Sequence, residues 1–231
     1  MKTIGMLGGM SWESTAFYYR ALNEGIKQTL GGLHSAKIIL NSVDFDEIEK
    51  LQHEADWNAT AEILKQAAKS VEAGGADFLI ICTNTMHLVA PQIQSAINIP
   101  ILHIADATAN ALVKDNINTV GLLGTAYTME KAFYKGRLTE NFGIKVLVPG
   151  EEQRAFVHKV IYEELCLGQI SEKSREAYVE IIHQLHCDGA EAVILGCTEI
   201  TLLVGQDDTK VPLFDTTTIH AEQAVRYALL T

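Results

Sequence analysis

Two short segments of this chain carry residue types from which chemistry can be built. Cys82-Thr83-Asn84-Thr85-Met86-His87 follows the apolar run Phe78–Ile81, and Gly196-Cys197-Thr198-Glu199-Ile200 follows Val193–Leu195. Each puts a small hydroxyl or thiol residue at the end of a predicted strand, then hydrogen-bonding side chains where a helix opens. Main-chain N–H groups and the helix dipole at such a point suit an anion, for instance the α-carboxylate of an amino acid. Helix capping alone would use Thr and Asn equally well, but it gives no reason for Cys197. A second pair of strand ends reads Gly8-Gly9-Met10-Ser11 and Gly124-Thr125-Ala126-Tyr127-Thr128. Gly8 and Gly9 permit close backbone approach to a ligand. No G-x-G-x-x-G pattern and no Walker lysine accompany them, which disfavours a nucleotide.

The elements that must position these residues are legible from the hydrophobic pattern. Buried parallel strands are predicted at Thr3–Leu7, Lys37–Leu40, Phe78–Ile81, Ile101–His103, Val120–Leu123, Val146–Leu147, Val193–Leu195 and Leu213–Phe214. Between them, helical spacing appears in Thr60–Ala73 and in Ser174–Leu185. Strands alternating with helices imply an α/β fold of parallel sheets flanked by helices. The pattern also repeats. Thr3-Ile-Gly-Met-Leu-Gly8 recurs as Thr119-Val-Gly-Leu-Leu-Gly124, Gly75–Ile80 as Gly189–Ile194, and Ile99-Pro100 as Val211-Pro212. Under this repeat Thr83 aligns with Cys197 and Asn84 with Thr198. The expectation is two pseudo-symmetric lobes, residues 1–112 with 213–231 and residues 113–212, with an active site in the cleft between them. Ligands of such sheets bind beyond the carboxyl ends of the strands.

Composition narrows the function classes. The 231 residues are 48% hydrophobic and 20% charged, enough for a substantial core without disorder. A net charge of −11 argues against nucleic acid as a partner, since phosphate affinity needs clustered Lys and Arg. No apolar run reaches the roughly 18 residues that span a membrane, and the apolar part of the opening segment is too short for a secretory signal, with Trp12 and Glu13 following directly. Four cysteines without paired metal spacing point to reduced thiols, a cytoplasmic protein and no metal site.

With these motifs in view, the whole chain resembles the pyridoxal-phosphate-independent aspartate/glutamate racemase family. The resemblance rests on Gly5-Met6-Leu7-Gly8-Gly9-Met10, Thr83-Asn84-Thr85 and Gly196-Cys197-Thr198-Glu199, in that order on a duplicated frame. It implies a cofactor-independent amino-acid racemase, of a broad-specificity or L-selective branch, using two catalytic groups on opposite faces of Cα. Thr83 and Cys197 take those positions. It further implies that Met10 (through its backbone), Gln52, Asn84, Thr85, Thr125, Thr198 and Glu199 contact a small amino-acid substrate, and that the protein forms a homodimer. An ordinary thiol titrates near 8.5, so modest electrostatic help would give a thiolate near neutral pH.

Two departures from the family pattern matter. Members commonly carry Cys before Asn-Thr, and here that residue is Thr83; the neighbouring Cys82 should point to the other side of the strand, into the core. Cys197 is then the competent base and Thr83 a donor or relay, so one enantiomer should be favoured. Second, the basic residues that hold a distal carboxylate in aspartate-specific members are missing: Asn41–Glu49 has no Arg, and Cys166 stands at what looks like the lysine position. Aspartate as sole substrate is thereby disfavoured. Alternatives of related fold are a hydantoin racemase, a maleate cis–trans isomerase or a decarboxylase. A different class is a non-catalytic amino-acid-binding protein. His87 follows Thr83 by four and could lie near the site or in the core. Cys187 reads as inert, Asp215 or Thr216 as a helix cap, and Met6, Tyr18 and Tyr19 as core or interface.

Overall fold

The computed structural model describes residues 1–230, and the chain divides into two compact units. The first, residues 1–104 with 220–231, opens with β1 (Ile4–Gly8), α1 (Trp12–Leu30), β2 (Ile38–Ser42), α2 (Phe45–His53), α3 (Trp57–Ala73), β3 (Phe78–Ile81) and α4 (Ala90–Gln94). Its sheet is parallel, in the order β2-β1-β3, with Leu7 opposite both Asn41 and Ile81. The expected strand at Ile101 is reduced to a single parallel bridge between Leu79 and Ile101. Pro100, which has no N–H to give to a ladder, directly precedes it.

The second unit, residues 105–219, comprises α5 (Ile104–Lys114), β4 (Thr119–Gly124), α6 (Ala126–Glu130), α7 (Ala132–Phe142), β5 (Lys145–Leu147), α8 (Glu151–Glu163), α9 (Glu172–Cys187), β6 (Ala192–Gly196), α10 (Ile200–Leu203), β7 (Leu213–Asp215) and the start of α11 (Thr216–Leu229). Its sheet is again parallel, in the order β5-β4-β6-β7. The borders differ from the expected 112/113 and 212/213 for a physical reason. Arg137 on α7 forks onto Asp106 of α5 at 2.5 and 2.7 Å, and Tyr134 donates to the Thr108 hydroxyl, so α5 is tied into the second unit. The Thr216 hydroxyl likewise donates to Leu195 O of β6.

Both sheets have apolar cores. Leu7, Ile48, Leu64, Val71, Leu79 and Ile81 close one face of the first sheet, and Ile4, Met6, Tyr18, Leu22 and Ile26 the other. Met6 and Tyr18 are therefore core residues rather than interface ones, while Tyr19 is exposed. In the second unit Leu123, Val157, Tyr178, Ile182 and Leu195 form the centre. Burying each such side chain contributes about 1.5–3 kcal/mol, which is what holds short strands in place.

Candidate active site

In the first unit the strand order sets the carboxyl ends of β2, β1 and β3 side by side; Met10 follows β1, Thr83 follows β3, and Gln52 lies in the last turn of α2, the helix after β2. Gly9 makes the first turn possible. It has φ +93°, and a Cβ there would stand 2.1 Å from Val43 O, so no other residue fits. Its N–H donates to the Thr15 hydroxyl at 2.8 Å, and Ser11 caps α1 by accepting from Ser14 N. Met10, Gln52, Asn84 and Thr85 are buried and Thr83 half-buried.

The end of β3 is held on several sides. Cys82 N–H donates to Leu7 O at 2.9 Å, and the Ser14 hydroxyl donates to Cys82 O at 3.0 Å. The Cys82 side chain is fully buried among Ile4, Met6, Tyr18 and Ile80, and burial pushes its thiol far up. It is a core residue, as the alternation of side chains along a strand requires. His87 is also buried, and its Nδ1 lies 2.8 Å from Thr83 O.

In the second unit the adjacent strands β4 and β6 end at Gly124 and Gly196, which sit opposite each other in register. Thr125 is buried and caps α6 by accepting from Thr128 N; the next amide, Ala126 N–H, donates to His158 Nδ1 at 3.2 Å. Burial lowers the His158 pKa, against a smaller opposite pull from Glu130. Beyond β6, Cys197, Thr198 and Glu199 are all half-buried, and Ile200 opens α10.

The decisive contact is between Cys197 and Glu199. The thiol donates to Glu199 Oε2 at 2.9 Å. Burial, then the carboxylate's charge and its hydrogen bond, then Cys166, all raise the Cys197 pKa; a backbone hydrogen bond from Glu199 opposes them. The expectation of a ready thiolate is thus corrected. Burial and the neighbouring carboxylate favour the thiol over the thiolate. Cys166 is exposed, in the short 3-10 helix Leu165–Leu167, close enough to Cys197 for their charges to interact. Cys187 is exposed on α9, and Asp215 caps α11 by accepting from Thr217 N. Among the described residues, no three His, Cys, Asp or Glu converge as a metal centre, and no helix is long and apolar enough to cross a membrane.

Glu199, expected from the sequence to contact substrate, also pairs with Cys197. Its spacing of two from Cys197, at a strand end where the chain turns, was the available sign of a thiol–carboxylate pair.

A sequence profile described as Asp/Glu/hydantoin racemase matches residues 7–224. The chain belongs to this racemase family. Among curated relatives, the broad-specificity amino-acid racemase RacX of Bacillus subtilis is 24% identical, with 96% of each chain covered. A crystal structure from Yersinia pestis, provisionally assigned as an Asp/Glu racemase, is 56% identical over the full length of both chains, with a TM-score of 0.95. An aspartate racemase homologue from Pyrococcus horikoshii is 36% identical over 99% of each chain, with a TM-score of 0.86. Family membership makes the chain an isomerase acting on amino acids, and the α/β fold of two parallel sheets is that of its racemase neighbours.

Proposed function

We propose that this racemase inverts amino acids at Cα by two-base proton transfer without a cofactor, with Cys197 and Thr83 on opposite faces of the substrate. The observation that carries the reading is the Cys197–Glu199 hydrogen bond at a strand end whose repeat counterpart is Thr83. Backbone N–H groups after β3 and β6, with Asn84, Thr85 and Thr198, would hold the α-carboxylate. Met10, Gln52 and Thr125 would border the substrate from the adjacent strand ends. Glu199 accepts the Cys197 proton, and the thiolate removes the α-proton. A carbanion is a base strong enough to take the Thr83 hydroxyl proton from the other face; the resulting alkoxide is reprotonated from solvent, and Glu199 releases to solvent the proton it took from Cys197, which restores the starting state. Fixed hydrogen-bond donors around the carboxylate would supply much of the barrier reduction.

The two groups are chemically unequal, and this has a definite consequence. The equilibrium constant of a racemisation is one, so kcat/KM must be the same in both directions. The inequality therefore cannot appear as a preferred direction of inversion. It appears as exchange without inversion: the enantiomer whose α-proton faces Cys197 swaps it with solvent faster than it inverts. The other enantiomer has no such shortcut.

Cys166 in place of a cation leaves a distal carboxylate without an obvious ionic partner, which supports a substrate range wider than aspartate. A homodimer in the cytoplasm completes the reading, and the exposed Trp12 and Tyr19 of α1 offer apolar surface for self-association.

The test is incubation with separate L- and D-forms of aspartate, glutamate, alanine, serine and leucine in deuterated water, followed by proton NMR. Loss of the Cα–H signal from at least one pair is expected. Saturable binding without exchange would make the protein a binder, and no exchange with any amino acid would refute the racemase reading.

A further inference from the structure

Three histidines, widely separated in sequence, meet inside the first unit behind Thr83. The His87 and His103 rings pack edge to face with centroids 4.5 Å apart, and the His220 ring lies 5.8 Å from that of His87. All three are buried. Their protonation is readable from partners that can act in one way only. Ile104 N–H can only donate, and it lies 3.2 Å from His87 Nε2, so that nitrogen accepts and Nδ1 carries the hydrogen. The Nδ1–H then donates to Thr83 O at 2.8 Å. Leu102 O can only accept, so His220 Nε2–H donates to it at 2.7 Å, leaving Nδ1 to accept from the Tyr18 hydroxyl at 2.8 Å. Burial, with the mutual repulsion of the rings, keeps His87 neutral well below its ordinary range.

The effect falls on the main chain at Thr83. His87 N–H bonds to Asn84 O at the start of the 3-10 helix Thr85–Val89, and among the described residues Thr83 O accepts no such main-chain bond. The His87 ring supplies its partner. The same ring is anchored through Ile104, while Leu102 N–H bonds back to Leu79 O on β3. With Cys82 pinned at both its N–H and its carbonyl, the peptide carrying Thr83 is fixed on each side. None of these bonds uses the Thr83 hydroxyl.

We propose that His87 is a positioning residue for Thr83, fixing the Thr83 carbonyl through Nδ1–H so that the hydroxyl is presented at one orientation to the carbanion. The inference rests on the assigned roles of Thr83 and Cys197. A misplacement of about 1 Å can cost on the order of 100-fold in rate, so the ring matters to the half-reaction at Thr83 and not to that at Cys197.

Two substitutions divide the functions of the ring. His87→Asn places an amide N–H near the Nδ1 position and keeps the bond to Thr83 O. His87→Gln reaches the Nε2 position, keeps an acceptor for Ile104 N–H and loses the bond to Thr83 O. With the fastest-exchanging amino acid of the panel above, solvent exchange at Cα and inversion are measured together in deuterated water. The Gln variant should lose inversion at least 10-fold while exchange of the Cys197-facing enantiomer stays within about twofold; the Asn variant should restore most of the inversion. Equal loss of exchange and inversion in the Gln variant, or equal effects of both variants, would mean a general structural role and overturn the proposal. If the Gln variant does not fold, His87→Leu, which also lacks the bond to Thr83 O, takes its place: a lower ratio of inversion to exchange in Leu than in Asn supports positioning, and equal ratios in the two overturn it. Absence of all exchange in the wild-type enzyme would instead refute the racemase reading itself.

Discussion

Removing the charge of Glu199 should move the reactivity and the turnover of Cys197 in opposite directions. The Cys197 thiol donates to Glu199 Oε2 at 2.9 Å, and the carboxylate holds the thiol's pKa up by charge and by hydrogen bonding, next in weight after burial. A hydrogen bond to an ionised group contributes about 1.5–3 kcal/mol. Glu199→Gln should therefore raise the thiolate fraction at fixed pH by about 10- to 100-fold, at 1.36 kcal/mol per factor of ten. A thiolate also loses nucleophilicity as its pKa falls, with a Brønsted coefficient of about 0.4–0.5. The net gain in alkylation is then about 3- to 10-fold. The assay is iodoacetamide labelling at pH 7, with the peptide containing Cys197 quantified by mass spectrometry, because Cys166 and Cys187 are exposed and also react. Turnover should fall about 100-fold or more, the usual contribution of a positioned acid–base group. Unchanged or slower alkylation would refute the electrostatic account. Faster alkylation with undiminished turnover would refute Glu199 as the proton acceptor.

Three further outcomes follow from the same geometry. His220 is fully buried and its pKa is lowered from 6.5 to about 4 by burial, against a smaller pull from its bond to Leu102 O. A histidine depressed in the folded state gives stability that is complete above its unfolded pKa and is lost as pH falls, here between about pH 6.5 and 4, for about 3 kcal/mol in all. Urea unfolding across that range should show the loss, and His220→Gln should reduce it, leaving the share of the likewise depressed His87. Gly9→Ala should destabilise by more than about 2 kcal/mol, since the new Cβ would meet Val43 O at 2.1 Å at a positive φ; a thermal shift under 2 °C would contradict this. Cys166→Lys should lower KM for aspartate and glutamate relative to alanine, and steady-state kinetics on the three substrates would show no change if Cys166 lies away from the substrate's side chain.

Much of this arrangement could be read from the sequence, because it depends on local and periodic signals. Apolar runs such as Phe78–Ile81 and Val193–Leu195 are buried strands, and the repeat placed Thr83 and Cys197 at equivalent strand ends. The alternation of side chains also put Cys82 in the core. What escaped is non-local. Nothing in the spacing shows that His220 meets a ring at His87, or that Leu102 and Ile104 supply the bonds which fix both tautomers. The domain borders slipped for a similar reason: α5 looks like the end of the first repeat, yet Asp106 and Thr108 commit it to α7 through Arg137 and Tyr134. The expectation of a lowered Cys197 pKa is reversed in direction because the same short segment that carries Cys197 partly buries it and adds a carboxylate two residues on.

In the proposed mechanism Cys197 and Thr83 act on opposite faces of Cα with unequal strength. That mechanism is tested most directly by following Cα–H exchange and inversion together, from each enantiomer in deuterated water, for Thr83→Ala and Cys197→Ala. The expected result is that Thr83→Ala abolishes inversion but still exchanges one enantiomer, and that Cys197→Ala exchanges that enantiomer no longer. Inversion at the wild-type rate in Thr83→Ala, or undiminished exchange of both enantiomers in Cys197→Ala, would contradict it.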